Sequence, residues 1–372
     1  MSDQLVVKEP VSERVESLLD GNANLRKTSL TLLGLPIAGV LSAPVLPLFL
    51  TVRLAKRITG TGDDLFKGAE PGHVQREASK TAVLVAACRY VGYREGWTND
   101  RMSRHFLPFE LKMAIENSLY FSKLFQITLK LGIGYFMART LAGDRLIENL
   151  KPKQIVLLGA GLDTRAHRLK LVEGCRFYEI DIASTQALKK KITAKYPGEF
   201  IGHVTYIPVD FSCENFMDKL LATPGFDPTC PETLILFEGV TMYLEWEALS
   251  QTMESISKNL APGTIVGMDC VKDMVNTKEA RQHKWKLRGG AAVVWFVKHI
   301  GEPFRYGIPL WKTANDIFPQ LGFKVLADLT HEQIEPLFFA PTKANGEKKK
   351  PIGKFPRFGH YIILKVSPPN AV

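Results

Sequence analysis

The chain reads as an α/β protein built on a mostly parallel sheet, and three observations predict it. From residue 154 onward, short apolar runs alternate with helical stretches, the pattern of β-α-β units. The first run breaks into Gly159-Ala160-Gly161 and then turns polar where a helix begins. An acid, Asp181, closes the next run about twenty residues beyond Gly161, the spacing of a nucleotide-type fold. Taken in order, the strands fall at 155–158, 176–180, 204–209, 234–237, 264–268, 324–327 and 361–366. The last follows a loop instead of a helix, so an antiparallel hairpin is expected near the carboxyl end. Residues 79–89 and 111–139 are apolar and helical in pattern, and are expected to cover the ligand. Ligands of open α/β sheets sit at the carboxyl ends of strands, which gathers Gly159, Asp181, Asp210 and Glu238 around one crevice.

In the loop, Gly159 permits a tight turn and Gly161 lets backbone approach a ligand closely. A nicotinamide fingerprint would carry a third glycine where this chain has Thr164. Asp163 would repel a pyrophosphate, but suits a cationic, phosphate-free ligand such as S-adenosylmethionine. Asp181 can accept hydrogen bonds from ribose hydroxyls. A nicotinamide oxidoreductase and a membrane-tethered binding protein are the competing readings.

Further segments carry a family resemblance. The loop and the turn after it read GAGLDTRAHRL, residues 159–169. Around it stand Ala138-Arg139-Thr140, Tyr178-Glu179-Ile180-Asp181, Val209-Asp210-Phe211, Phe237-Glu238-Gly239-Val240-Thr241-Met242-Tyr243-Leu244 and Gly301-Glu302-Pro303-Phe304-Arg305-Tyr306. In consistent order over roughly residues 77–366, they resemble the leucine carboxyl methyltransferase-like family of S-adenosylmethionine-dependent methyltransferases, bacterial branch. The resemblance implies a class I methyltransferase, Rossmann-like sheet with a carboxyl-terminal antiparallel strand, an N-terminal helical cover and a lid insertion at about 271–320. It implies cofactor contacts from Lys80 and Arg139 toward the methionine carboxylate, and from the loop residues Gly159, Gly161 and Asp163. Asp181 would face the ribose, with Ile182 among the cofactor contacts, Asp210 and Phe211 would face the adenine, and Glu238 the methionine portion. Tyr243 would line the acceptor side. Surface ion pairs, helix caps and core aromatics are the plain alternatives for these residues.

Family members that methylate a peptide's terminal carboxylate typically carry an arginine soon after the position of Asp210. This chain reads Asp210-Phe211-Ser212-Cys213. The expected acceptor is therefore a small or lipophilic molecule methylated on a carboxylate or hydroxyl oxygen, with the protein-carboxylate activity as the alternative. Methyl transfer from a sulfonium is an in-line displacement, for which alignment and exclusion of water supply much of the catalysis. A carboxylate needs no base, whereas an alcohol or phenol gains from a histidine or acid. His167, His283 and His299 are candidates, and no spacing singles one out. The apolar run 291–297 within the lid suits a lipophilic acceptor.

At 372 residues, 45% hydrophobic and 23% charged, the chain has enough apolar mass for a large core. Five cysteines, Cys88, Cys175, Cys213, Cys230 and Cys270, form no CxxC pair, and the eight histidines form no HExxH. Neither a disulfide framework nor a metal site is expected, and a reducing, cytoplasmic compartment fits. The net charge of +10 is scattered; its dense runs, Lys189-Lys190-Lys191 and Lys348-Lys349-Lys350, read as a solvated helix face and a loop. Neither is interleaved with aromatics, so nucleic acid is not the expected partner.

Residues 28–52 contain no charged side chain and are flanked by Arg26, Lys27, Arg53, Lys56 and Arg57. The length is about that of a bilayer span, yet Pro36, Pro44 and Pro47 would interrupt a straight helix. A kinked span, a shallow membrane hairpin and an arm packed on protein are the three readings, with membrane contact expected through residues 28–57. Residues 1–72 thus form an extension ending in a glycine-rich linker, and 73–372 the methyltransferase domain.

Overall fold

The computed structural model describes residues 80–121, 123–211, 213–273, 304–309, 311–330, 333–334 and 359–368, without the side chains of 80, 110, 114 and 118–133. The apolar arm and linker, most of the expected lid, His283 and His299 lie outside the described residues, as does the side chain of Lys80.

Seven strands form one sheet: β1 (Gln154–Leu158), β2 (Arg176–Asp181), β3 (Thr205–Pro208), β4 (Thr233–Phe237), β5 (Ile265–Val271), β6 (Phe323–Thr330) and β7 (Gly359–Val366). Their order is β3-β2-β1-β4-β5-β7-β6. The first five are parallel, and β7 runs antiparallel between β5 and β6. This is the sheet expected above, with each strand within a few residues of its sequence-based position. Every residue of β1, β4 and β5 is buried, as strands covered on both faces require.

Two layers of helices supply that cover. On one face lie α1 (Lys80–Arg94), α2 (Phe109–Phe121) and α3 (Lys123–Leu150). Helix α1 buries Val83, Ala86, Ala87, Tyr90 and Val91, an i, i+3, i+4, i+7, i+8 stripe that meets Met137, Ala138 and Ala142 of α3. A short turn of helix, α4 (Arg165–Arg168), follows the glycine loop, and α5 (Ala183–Thr193) follows β2. On the opposite face, α6 (Phe216–Leu221) and α7 (Trp246–Asn259) pack on the sheet, the latter through Leu249, Met253 and Ile256. The strand order reverses at β1, where β2 goes to one side and β4 to the other, the switch point at which open α/β sheets place their ligands.

The lysine run in α5 departs from expectation. Lys190 and Lys191 are exposed, but Lys189 is fully buried, its Nζ 2.6 and 2.7 Å from the two carboxylate oxygens of Glu179 in β2. A charge inside a strand needs a compensating partner, and α5 provides it. Burial still pushes the Glu179 carboxyl up to about 7 against the pull of Lys189.

Candidate active site

The glycine loop forms as its residues predict. Gly159 and Gly161 have φ of 71° and 52°, conformations that favour glycine. At Gly159 a Cβ would stand 2.1 Å from Val240 Cγ2, so the loop passes close under the segment after β4. Asp181 ties the loop down: its Oδ2 accepts the Gly161 N–H at 2.6 Å and its Oδ1 the Ile182 N–H at 2.7 Å. Burial pushes its carboxyl up to about 6 despite those two bonds. Each carboxylate oxygen keeps a second lone pair, so Asp181 can hold the loop and still accept from ribose hydroxyls.

Asp163 is directed inward. Its Oδ1 accepts the Arg165 N–H at 2.7 Å and its Oδ2 pairs with Arg165 Nη1 at 3.0 Å. Burial would raise its pKa, but Arg165, with Arg89 and Lys189 behind it, holds the carboxyl well below the usual range. The first amide of α4 is therefore already capped by a carboxylate, and α4 is four residues long.

Arg165, 2% exposed, is the centre of the charge network. Its Nε bonds Asp144 Oδ1 at 2.8 Å, its Nη1 bonds Glu238 Oε2 at 2.8 Å, and its Nη2 donates to the Thr140 carbonyl at 2.9 Å. Arg168 also grips Asp144, at 2.7 Å through each of two nitrogens. Arg89 of α1 donates to the Leu162 carbonyl and pairs with Asp100 at 2.9 Å, which fixes the helical cover to the loop. Gly143 in α3 makes room for the network, since a Cβ there would stand 2.5 Å from Glu238 Oε1 and 2.6 Å from Arg165 Nη2.

Glu238 immediately follows β4. Besides Arg165 it accepts the Tyr361 hydroxyl at 2.9 Å through Oε1, and burial pushes its carboxyl up. Beside it, Arg139 pairs with Asp269 at 3.0 Å, while Tyr135 O–H and Gly239 N–H donate to the same carboxylate at 2.6 Å each. Burial works against the Arg139 charge, but Asp269, Tyr135 and Glu238 hold the guanidinium protonated. The buried Arg139 Nε has no hydrogen-bond partner among the described residues, so this cation retains a donor for an anionic group.

Asp210 and Phe211 follow β3 at the same sheet edge. The Asp210 carbonyl accepts the amides of Cys213 and Glu214, and its own amide donates to Glu214 Oε2 at 2.8 Å. The Phe211 ring lies 29° from parallel to Phe237 with centroids 6.4 Å apart. Tyr243 sits in the turn after Glu238 and meets Phe304 edge-on at 5.4 Å. Lys80 is the first residue of α1.

The topology thus brings Gly159, Gly161, Asp181, Ile182, Asp210, Phe211, Glu238 and Tyr243 to the carboxyl-terminal edge of the parallel strands, with Arg139 beneath Gly239. His167 lies apart: its Nδ1 accepts the Gly202 N–H at 2.9 Å in a cavity of about 340 Å³ that His203 and Tyr206 also line. Asp144, Arg165, Asp269 and Tyr361 were not singled out from sequence. Asp269 had a signal there, an acid inside the otherwise apolar β5 run Ile265–Val271. No cluster of metal-ligating side chains occurs among the described residues, and none of their helices is long and apolar enough to cross a membrane.

The chain is similar to known proteins over part of its length. The family model described as leucine carboxyl methyltransferase matches residues 82–257. A "Putative S-adenosyl-L-methionine-dependent methyltransferase" of Mycobacterium avium is 33% identical over 142 residues, 38% of this chain and 43% of the relative. YktD of Bacillus subtilis, named in the same words, is 26% identical over 213 residues, 56% of this chain and 67% of its own. The match thus spans less than half the length of the Mycobacterium relative. A solved DUF574 family protein of Streptomyces avermitilis aligns at 12% identity with a TM-score of 0.46, over 76% of this chain and 97% of that one. Residues 82–257, which hold the glycine loop, Asp181 and Glu238, are thus similar to the leucine carboxyl methyltransferase family.

Proposed function

We propose that the chain is an S-adenosylmethionine-dependent O-methyltransferase acting on a small or lipophilic acceptor. The observation that carries this reading is the occupied start of α4. A dinucleotide seats its pyrophosphate on free amides at that helix terminus. Here the Asp163 carboxylate caps the first amide, and the helix is too short to present a dipole. A phosphate-free nucleoside cofactor that uses the loop, the ribose acid and an adenine platform fits instead.

When bound, S-adenosylmethionine supplies an electrophilic methyl on a sulfonium. In this reading Asp181, with Ile182 beside it, orients the ribose, and Asp210 and Phe211 hold the adenine amine and ring. Arg139 takes the methionine carboxylate through its spare donor, and Lys80 at the start of α1 adds a second cation. Glu238 fixes the ammonium end, its own position set by Arg165 and Tyr361. Gly159 and Gly161 let the backbone pass against the ligand. Tyr243 and Phe304 form an aromatic wall on the acceptor side. The absence of arginine in the segment Phe211-Ser212-Cys213 leaves a peptide carboxylate without its partner there, which supports a smaller acceptor. The extension 1–72 would bring the enzyme to a membrane surface through residues 28–57, matching a lipophilic substrate.

Purified full-length protein incubated with methyl-labelled S-adenosylmethionine and an extract of its own source cells tests the proposal. Label is expected in a small, solvent-extractable product. Label confined to protein carboxyl termini would replace this acceptor class with the protein-methylating one.

A further inference from the structure

Three strands away from the glycine loop, the same sheet edge carries a histidine and a carboxylate that the site described so far does not use. His360 is the second residue of β7 and stands opposite Cys270 in β5 and Thr330 in β6. Both are at or next to the carboxyl ends of their strands, so His360 shares the edge on which Asp181 and Glu238 lie. The next residue, Tyr361, is the one whose hydroxyl meets Glu238. The Oγ1 of Thr241, three residues past Glu238, donates to the Asp269 carbonyl beside Cys270 at 2.6 Å. The histidine is thereby within one strand of the segment that carries Tyr243, although its ring is on the sheet face opposite Tyr361.

The pair has an ordered geometry. His360 Nδ1 is 2.6 Å from Asp328 Oδ1, with side chains 11% and 16% exposed. The other carboxylate oxygen accepts the Ala314 N–H at 3.0 Å. Burial raises the Asp328 pKa, but the His360 and Ala314 bonds outweigh it and keep the group a carboxylate. An ionised carboxylate only accepts, so Nδ1 carries a proton, and in the neutral ring the lone pair is on Nε2. The structure gives Nε2 no partner among the described residues. The other charged or titratable groups around the pair are Cys270 in β5, Lys272 just past its end and Asp316 beside Ala314. Lys272 is turned aside, its Nζ donating to the Lys312 carbonyl at 2.7 Å.

We propose that His360 is the general base for a hydroxyl-bearing acceptor, an alcohol or phenol, with Asp328 as its positioning residue. The inference rests on the O-methyltransferase reading and narrows its acceptor class. As the acceptor oxygen forms its bond to the methyl carbon, the carbon–sulfur bond breaks with its electron pair going to sulfur, which becomes a neutral thioether. The hydroxyl proton passes to His360 Nε2, and Asp328 stabilises the imidazolium that results. A carboxylate acceptor, already anionic, would leave this dyad without a task.

The first test needs no acceptor. Long-range proton–nitrogen NMR of full-length protein labelled at histidine, with the His360 signal identified by its loss in His360→Gln, should show the Nδ1–H tautomer of the neutral ring. Asp328→Asn should alter that tautomer balance. An Nε2–H tautomer would overturn the proposal. The second test uses methyl-labelled S-adenosylmethionine and the source-cell extract. The expected product is an alkali-stable ether, with kcat lowered roughly 10²- to 10⁴-fold in His360→Gln. Cofactor affinity should be unchanged in that variant, which also reports that it folds. An alkali-labile ester, or a variant within threefold of wild type, refutes the base. Cofactor binding without transfer to any acceptor would refute the methyltransferase reading itself, and the base with it.

Discussion

Replacing Arg165 by methionine tests whether the network beneath the glycine loop is a unit. The substitution keeps the volume of the stem and removes the guanidinium that Asp144, Asp163 and Glu238 share. Asp144 retains both bonds from Arg168, and Glu238 retains Tyr361 and can take up a proton. Asp163 loses its main partner while 8% exposed, so one buried carboxylate becomes uncompensated. Breaking a buried pair from one side costs about 3–5 kcal/mol. At roughly 2–4 °C per kcal/mol for a domain of this kind, Tm should fall by about 10 °C. The pH dependence follows from the depressed pKa values of Asp144 and Asp163. Carboxylates depressed in the folded state contribute stability above their unfolded pKa, and lose it as pH falls toward the folded value. The deficit of Arg165→Met should therefore be full at pH 7 and shrink below about pH 4, as the carboxyls protonate. Thermal melts followed by circular dichroism across that range provide the assay. A shift under 2 °C at pH 7, or a deficit that stays constant at acid pH, would refute the reasoning.

Other consequences can be measured in the same way. Gly143→Ala would gain up to about 1 kcal/mol of helix propensity elsewhere, but here the new methyl meets Glu238 and Arg165. Crowding of about 1–3 kcal/mol should win, lowering both Tm and cofactor affinity; a more stable variant would contradict the close approach. Lys189→Met leaves Glu179 alone in the core. Because the folded Glu179 pKa is raised, its favourable contribution exists below the unfolded value of about 4.5 and is lost as pH rises through 7. Without Lys189 that carboxyl is pushed higher still, so the variant's deficit relative to wild type should grow as pH rises above about 7, where the wild-type carboxyl ionises against Lys189, and a pH-independent deficit would show that the pair is dispensable.

Patterns of one or two strands' range were legible in the sequence. The run from Gln154 to Leu158, the glycines after it and the acid at Asp181 are local features, each with a reason that needs no knowledge of the rest of the chain. The antiparallel β7 was signalled by the lack of a helix before it. Pairings across long separations were not legible. Arg165 and Glu238 are 73 residues apart and meet only because β1 and β4 are neighbours. Asp163 reads as a free acid in sequence, yet Arg165, two residues on, folds back onto it. Lys189 sits in a run of three lysines that looks solvated, and only the helical phase of α5 decides which one faces Glu179. His360 had no visible partner until β6 and β7 paired and brought Asp328 beside it.

The central claim is that the loop at Gly159–Gly161 and the acid at Asp181 hold S-adenosylmethionine, and calorimetry tests it most directly. Full-length protein should bind S-adenosylmethionine and its demethylated product and give no heat with NAD. Asp181→Ala loses the ribose acceptor and the clamp on the Gly161 amide. With about 1.5–3 kcal/mol for a hydrogen bond to a charged group, affinity should fall roughly 10- to 150-fold while the melting transition remains cooperative. Tight binding of NAD with no response to S-adenosylmethionine, or an unchanged affinity in the variant, would contradict the account.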